Sequence, residues 1–303
     1  MRVRRSYAAG SLLAAAAIVL SGCANNAATE GGGQPTASGT AGFDINKVQK
    51  DDALAGQVPD AVKSDGKIVI GTDPTYEPSE FKEGGKIVGF DIDLMTAVAK
   101  KLGLTAEFQE SKFENILPSL GSKYELGVSS FTDSKEREKT VDFVTYFAAG
   151  TAWAATDKAF DPDDACGKKV SVQTGTVQQT ADLPARQKKC KDAGKAAIDV
   201  LPYDDQAEAT NAVVVGKSQA MLADLPVVVA AVRKTNGQLF RVGQNYDTAP
   251  YGIAVAKDAG TLKDALLGAV KALIADGTYK AVLDKWAVAD GAISDPRING
   301  ATS

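Results

Sequence analysis

The chain has 303 residues, 34 of them basic and 38 acidic, for a formal net charge of −4. That balance supplies no basic face for a nucleic acid. Histidine is absent, which removes the commonest general base, the commonest metal ligand and every Ser-His or Cys-His nucleophile pair, and so argues against most hydrolases.

Arg2, Arg4 and Arg5 precede an apolar run from Tyr7 to Leu20. The run is too short to span a bilayer comfortably and has the layout of an export signal. It ends in Leu-Ser-Gly-Cys at Cys23. A simple cleaved signal peptide is the blander alternative, but this ending resembles the lipobox of bacterial lipoproteins. The resemblance implies a signal peptide over 1–22, removed to leave a lipidated Cys23 at the mature N-terminus. Residues 23–42 are dominated by Gly, Ala, Ser, Thr and Asn, the composition of a flexible tether. Residues 43–66 form an N-terminal extension with weak helical character, and the globular part is expected from Lys67.

"KIVIGTD" (67–73) predicts a strand that turns at Asp73-Pro74, and "KIVGFDID" (86–93) a second. The helix that follows places Leu94, Val98 and Leu102 at helical spacing, with Gly103 as its stop. A strand at 104–110, a helix at 113–122 containing Pro118, and a strand at 124–130 continue the alternation. Such alternation predicts an α/β domain with a largely parallel sheet. The pattern then resets: a long extended run over 141–155 leads into three further strand-and-helix units up to Lys234. Tyr251 to Lys257 is extended again. Helices are expected from Thr261 to Ala275 and from Thr278 to Trp286. The runs at Val144–Ala155 and Tyr251–Lys257 are long for ordinary strands and suit two crossovers between two lobes, a layout that permits hinge closure.

With Cys23 set aside, Cys166 and Cys190 remain. An even pair in an exported chain favours a disulfide over two free thiols, and the flanking lysines ("CGKK", "KKCKD") argue against burial. Zinc is disfavoured for want of other ligands.

Taken in order, "GTDPTYEP…KIVGFDIDL", "FENILPSLGSKYELGVSSFTDSKERE", "VSVQTGTVQ", "MLADLP", "YGIAVAKD" and "ADGTYKAVLDKW" resemble the polar amino-acid substrate-binding proteins of ABC importers. The resemblance spans roughly Lys67 to Trp286. It implies a two-lobed periplasmic-binding-protein fold of type II, each lobe a mixed, mostly parallel sheet flanked by helices, joined by two hinge strands. Lobe 1 is then 67–150 with 252–303, and lobe 2 is 151–251. It also implies a monomeric, non-enzymatic receptor that hands its ligand to a permease and ATPase. In Gram-positive bacteria such receptors are lipid-anchored at the outer face of the cell membrane. No cofactor and no metal are implied.

An amino-acid zwitterion needs a guanidinium and N–H donors for its carboxylate, and a carboxylate and carbonyl oxygens for its ammonium. The resemblance assigns the ammonium to the Ser130 carbonyl, the Thr132 hydroxyl and Asp224. It assigns the carboxylate to the Thr132 N–H, the Arg137 fork and the Val177 N–H, beside Thr176 and Gln178 at a helix start suited to anions. Read locally, Arg137 is one surface charge in "DSKEREK" and Asp224 a helix cap. Tyr76 and Phe113 match the family's aromatic clamp. Ser79 replaces a usual apolar residue and is expected to widen or wet the pocket. Asp73, Glu77, Glu80 and Asp91 give these loops an acidic cast, which suits a basic side chain; the equivalents of Asp73 and Asp91 also occur in glutamine-selecting members of the family, so a basic or amide side chain is favoured, while Lys82 and Lys86 keep an acidic ligand open. The same lobe pair also serves as a cyclohexadienyl-dehydratase-like enzyme and as a sensor ectodomain. The pairing of Arg137 with Asp224 favours binding over chemistry.

Overall fold

The computed structural model describes residues 43–302. The expected signal peptide, the expected lipidation site Cys23 and the expected tether lie outside the described residues. Among the described residues no helix is long and apolar enough to cross a membrane.

The extension folds as a short turn at Ile45–Lys47 followed by α1 (Asp52–Ala55) and α2 (Asp60–Lys63). Asp51 caps α1 by accepting the N–H groups of Ala53 and Leu54, satisfying donors that a helix start leaves free. Val48 and Val58 are buried in the same core as Ile68, Leu94 and Val270. The globular part therefore begins well before Lys67, contrary to expectation. Two valines ten residues apart leave no periodic signal.

Strand β1 (Lys67–Thr72) leads into three short antiparallel strands, β2 (Thr75–Tyr76), β3 (Glu80–Glu83) and β4 (Lys86–Val88). The expected strand over 86–93 is thus cut short, and helix α3 already starts at Phe90 and runs to Lys101. Gly89 makes the break at φ 140, and Asp91 and Asp93 then sit in the first turn, where the helix dipole favours acidic side chains. Strand β5 (Thr105–Glu110) follows. Helix α4 is only Phe113–Ile116, passing into a 3₁₀ turn at Leu117–Ser119 around Pro118. The longer helix expected there ends early because proline lacks the N–H. Strand β6 is Leu126–Gly127.

The second half contains β7 (Val141–Ala155), β8 (Lys169–Gln173), a π turn at Gln178–Asp182, α5 (Leu183–Asp192), β9 (Asp199–Tyr203), α6 (Gln206–Val214), β10 (Ala220–Asp224) and α7 (Leu225–Lys234). Strand β11 (Phe240–Ala256), α8 (Leu262–Ala275) and α9 (Thr278–Lys285) complete the elements. Strand β11 begins eleven residues before the expected Tyr251.

One eight-stranded sheet runs β5-β1-β6-β11-β7-β10-β8-β9. Its two ends are parallel and its centre, where β11 and β7 run side by side, is antiparallel. Each end carries its own buried cluster. One gathers Ile68, Leu94, Phe147 and Leu273; the other gathers Trp153, Val170, Leu183 and Leu222. Strands β7 and β11 belong to both. Their register slips between Val242 and Tyr246 and again before Ala249, and such irregularities bend strands. Gly150 lies at this crossing, where a Cβ would stand 2.7 Å from the Tyr246 carbonyl oxygen.

Cys166 and Cys190 are joined, tying α5 to the segment before β8 across 24 residues. Closing a loop of that length stabilises the fold by about 3 kcal/mol in the chain-entropy account.

Asp142 links the end of the chain to the sheet. Its carboxylate accepts from Lys257 and Lys263 at 2.6 Å each and from Asn299 at 2.9 Å. Burial opposes its charge, but the hydrogen bonds from Asn299, Lys257 and Lys263 outweigh that and hold its pKa at about 2. A carboxyl whose folded pKa is depressed contributes stability above its unfolded value and loses it as pH falls through the folded one. We expect Asp142→Asn to lower stability at pH 7 by about 2 kcal/mol and to flatten the decline between pH 4 and 2. Urea unfolding followed across that range checks this, and an unchanged decline would count against it.

Candidate ligand-binding site

In open α/β sheets ligands gather outside the carboxyl ends of the strands. Here β1 is followed by Asp73, β6 is followed by Ser129 and Ser130, β8 ends at Gln173, and β10 ends at Asp224. Tyr76, Phe113, Ser129, Ser130, Thr132, Arg137, Thr176, Val177, Gln178 and Asp224 enclose one small cavity of about 10 Å³. A larger surface groove of about 610 Å³ lies beside Phe81, Val214 and Val227. The smaller cavity is the better candidate because opposed charges and polar groups converge on it.

Asp224 is the hub. Its Oδ2 accepts the hydroxyls of Tyr251 at 2.7 Å and Tyr76 at 2.9 Å, and its Oδ1 accepts the Gln178 amide at 2.8 Å. Gln178 also donates to Thr151 Oγ1 at 3.0 Å. Burial raises the Asp224 pKa, opposed by these hydrogen bonds and by the charge of Arg137. The two tyrosines titrate well above their usual value, because they are buried and face that carboxylate.

Arg137 approaches from the other half of the sheet. Its Nη1 donates to the Thr132 carbonyl at 2.9 Å and its Nη2 to the Gly175 carbonyl at 3.0 Å. The guanidinium carbon lies 5.6 Å from the ring centres of both Phe113 and Phe131, a cation–π range. Those rings stack on each other at 4.5 Å. Burial lowers the Arg137 pKa to about 10 against the pull of Asp224, so it stays charged at neutral pH.

Asp73 is buried but is not on the cavity wall. It accepts the Phe113 N–H at 3.1 Å and, from the other half, the Gln173 amide at 2.9 Å. Burial raises its pKa to about 6. Gln173 Oε1 has no donor among the described residues. Of the other acidic loop residues, Glu77 pairs with Lys234 on the surface, while Glu80 and Asp91 are fully buried behind Ser129 and Ser130. Ser79 is wholly buried and does not line the cavity, so it neither widens nor wets it.

Eight of the nine residues expected to hold ligand thus surround one cavity, and the ninth, Asp73, stands behind Phe113. Thr151, Gln173 and Tyr251 were not among them. They lie on strands, and no local signal in the sequence marks them.

Residues 68–289 match the profile of the bacterial extracellular solute-binding proteins, family 3. The chain belongs to that family. Among curated relatives of this solute-binding protein, the arginine-binding protein ArgT of Corynebacterium glutamicum is 36% identical over 251 residues, covering 81% of this chain and 82% of its own. The L-cystine-binding protein TcyJ of Escherichia coli K12 is 31% identical over 236 residues, covering 76% and 85%. Among solved structures, an ancestral arginine-binding protein bound to arginine superposes with a TM-score of 0.67 at 37% identity, covering 73% of this chain and 98% of its own. The fold is that of a two-lobed binding protein.

Proposed function

We propose that this solute-binding protein is the receptor of an ABC importer for a polar L-amino acid with a basic or amide side chain, arginine first among them, and that it performs no chemistry on its ligand. One observation carries the reading: a guanidinium and a carboxylate, Arg137 and Asp224, reach the same small cavity from opposite halves of the sheet. A zwitterion between them satisfies two buried charges that otherwise attract each other at a distance.

In this reading 67–150 with 252–303 form the first lobe, 151–251 the second, and β7 and β11 the hinge. The ligand carboxylate takes the Arg137 fork and the N–H groups of Thr132 and Val177. The ammonium takes Asp224, the Ser130 carbonyl and the Thr132 hydroxyl. Tyr76 and Phe113 flank the aliphatic stem beside Gln178. The side-chain terminus points to Asp73 and to Gln173 Oε1, two acceptors that suit a guanidinium or an amide. A 10 Å³ cavity is about the size of one water, so a ligand enters as the lobes part and Tyr76 releases Asp224. Closure re-forms the rim pairs Lys112–Asp205 and Lys234–Glu77, each worth up to about 1 kcal/mol. Acyl chains on Cys23 hold the receptor at the outer membrane face, and residues 24–42 give it reach toward the permease and ATPase. The arginine-binding relatives and the acceptor pair Asp73–Gln173 support arginine over an acidic ligand.

Calorimetric titration with arginine, glutamine and glutamate between pH 5 and 8 tests this. A guanidinium at Asp73 needs the ionised carboxylate, and the ligand-free carboxyl has a pKa of about 6. Below pH 6 binding must expel its proton, so arginine affinity should fall by up to about tenfold per pH unit and level off above pH 7. Glutamine, whose amide carries no charge, should show a shallower profile. Absence of binding to all three overturns the reading, and a flat arginine profile removes Asp73 from the site.

A further inference from the structure

A pair of acidic side chains lies one layer behind the cavity. Glu80 and Asp91 are both fully buried. Glu80 Oε1 accepts the Ser129 hydroxyl at 2.8 Å. Asp91 Oδ2 accepts the Tyr146 hydroxyl at 2.8 Å, the Ser130 N–H at 3.0 Å and the Ser130 hydroxyl at 3.4 Å. The remaining oxygens, Glu80 Oε2 and Asp91 Oδ1, have no donor among the described residues, although the two carboxyl groups are in hydrogen-bonding contact. Asp73, Tyr76 and Tyr146 also face the pair, and among the described residues neither carboxylate forms a salt bridge.

Two buried carboxylates in contact, with no salt bridge to either, cannot both be ionised. One proton between Glu80 Oε2 and Asp91 Oδ1 gives both orphan oxygens a partner. It belongs on Glu80. Burial and the neighbouring Asp91 push the Glu80 carboxyl well above its usual value, whereas hydrogen bonds from Tyr146, Glu80 and Ser130 limit the rise caused by burial at Asp91 to about 6.

The pair acts on Ser130, which is held at φ 51, a left-handed conformation that a residue with a side chain adopts only under constraint. The constraint is the Asp91 carboxylate, which grips Ser130 by both its N–H and its hydroxyl. Gly89 fits the same arrangement. It lets the chain pass so close to Ser79 that a Cβ there would stand 2.0 Å from the Ser79 carbonyl oxygen, and that oxygen accepts the Asp91 N–H at 3.0 Å.

We propose that Glu80 and Asp91 share one proton and act together as positioning residues, fixing Ser130 so that its carbonyl meets the ligand ammonium and setting a single negative charge behind it. The inference rests on the amino-acid reading of the site. It predicts that the ligand's cationic end is recognised in two layers, with direct acceptors in front and a fixed buried charge behind them.

The test joins infrared spectroscopy to arginine calorimetry on the purified full-length protein. Wild type should show a protonated-carboxyl carbonyl band at pH 7 that Glu80→Gln lacks. Glu80→Ala should weaken arginine binding at least about tenfold, because it strands a buried acceptor. Glu80→Gln should recover most of that loss, since its amide donates to Asp91 as the acid does. Wild-type affinity should also decline more steeply at alkaline pH than that of Glu80→Gln, which keeps only the loss due to the ligand's own ammonium. A missing band, or Glu80→Gln as weak as Glu80→Ala, overturns the shared proton and leaves the site reading standing. A band present in a wild type that binds no amino acid overturns the positioning role together with that reading. If Glu80→Ala fails to fold, the wild-type band and the alkaline behaviour of Glu80→Gln still decide.

Discussion

Arg137→Ala is expected to weaken amino-acid binding by a factor of about 10² to 10⁴. Removing one member of a buried charge pair costs about 3–5 kcal/mol, because the partner is left uncompensated. Here two partners are stranded at once, the ligand carboxylate and, through the field across the cavity, Asp224. The side chain also ties the two halves together by donating to the Gly175 carbonyl, so its loss penalises the closed form itself. Arg137→Lys should restore only part of the affinity. A lysine carries the charge but cannot present two parallel donors to a carboxylate or lie flat against Phe113 and Phe131 as a guanidinium does. Calorimetry on both variants, with circular dichroism to confirm folding, measures this. Near wild-type affinity in Arg137→Ala would remove the residue from the site.

The sequence made the parallel outer strands and the last two helices legible because each has a strong local pattern. Strand β1 is a short apolar run, and α8 and α9 are amphipathic and separated by Gly277 at φ 82. The start of α3 was misplaced because "GFDID" alternates apolar and acidic residues as a strand does, and only Gly89 marks the break. The first half of β11 was hidden for the opposite reason. "RVGQNYDTA" lies largely on the surface, so its composition is that of a loop, and only pairing with β7 makes it a strand. The candidate binding residues were legible as an ordered set rather than one by one. Arg137 in "DSKEREK" and Asp224 before Pro226 are each unremarkable until the fold brings them to one cavity. Gln173 and Tyr251 gave no such sign. Their polar ends matter through contacts with Asp73 and Asp224, residues 100 and 27 positions away.

Asp224→Asn should separate binding from folding. The ammonium would lose a charged acceptor, and a hydrogen bond to a charged group contributes about 1.5–3 kcal/mol, so affinity should fall about 10- to 150-fold. The ligand-free protein should behave differently. Asp224 is buried and its pKa is raised, so ionising it in the fold at neutral pH costs stability rather than adding it. Asparagine carries no such cost and can keep the local bonds. Its oxygen can accept from the Gln178 amide, and its N–H groups can face Tyr76 and Tyr251, whose hydroxyls accept as well as donate. The variant should therefore melt at or above the wild-type temperature without ligand, yet gain much less from added arginine. For wild type, ligand at 100 times its dissociation constant adds about 2.7 kcal/mol, and the variant at the same ligand concentration should retain only a small part of that. A variant that melts well below wild type without ligand would show that Asp224 holds the fold together. A variant with unchanged arginine affinity would show that the ammonium sits elsewhere. The expected pattern, weaker binding on an equally stable fold, is what a residue kept for its ligand produces: its buried charge is a burden to the empty receptor and is neutralised only when the cation arrives.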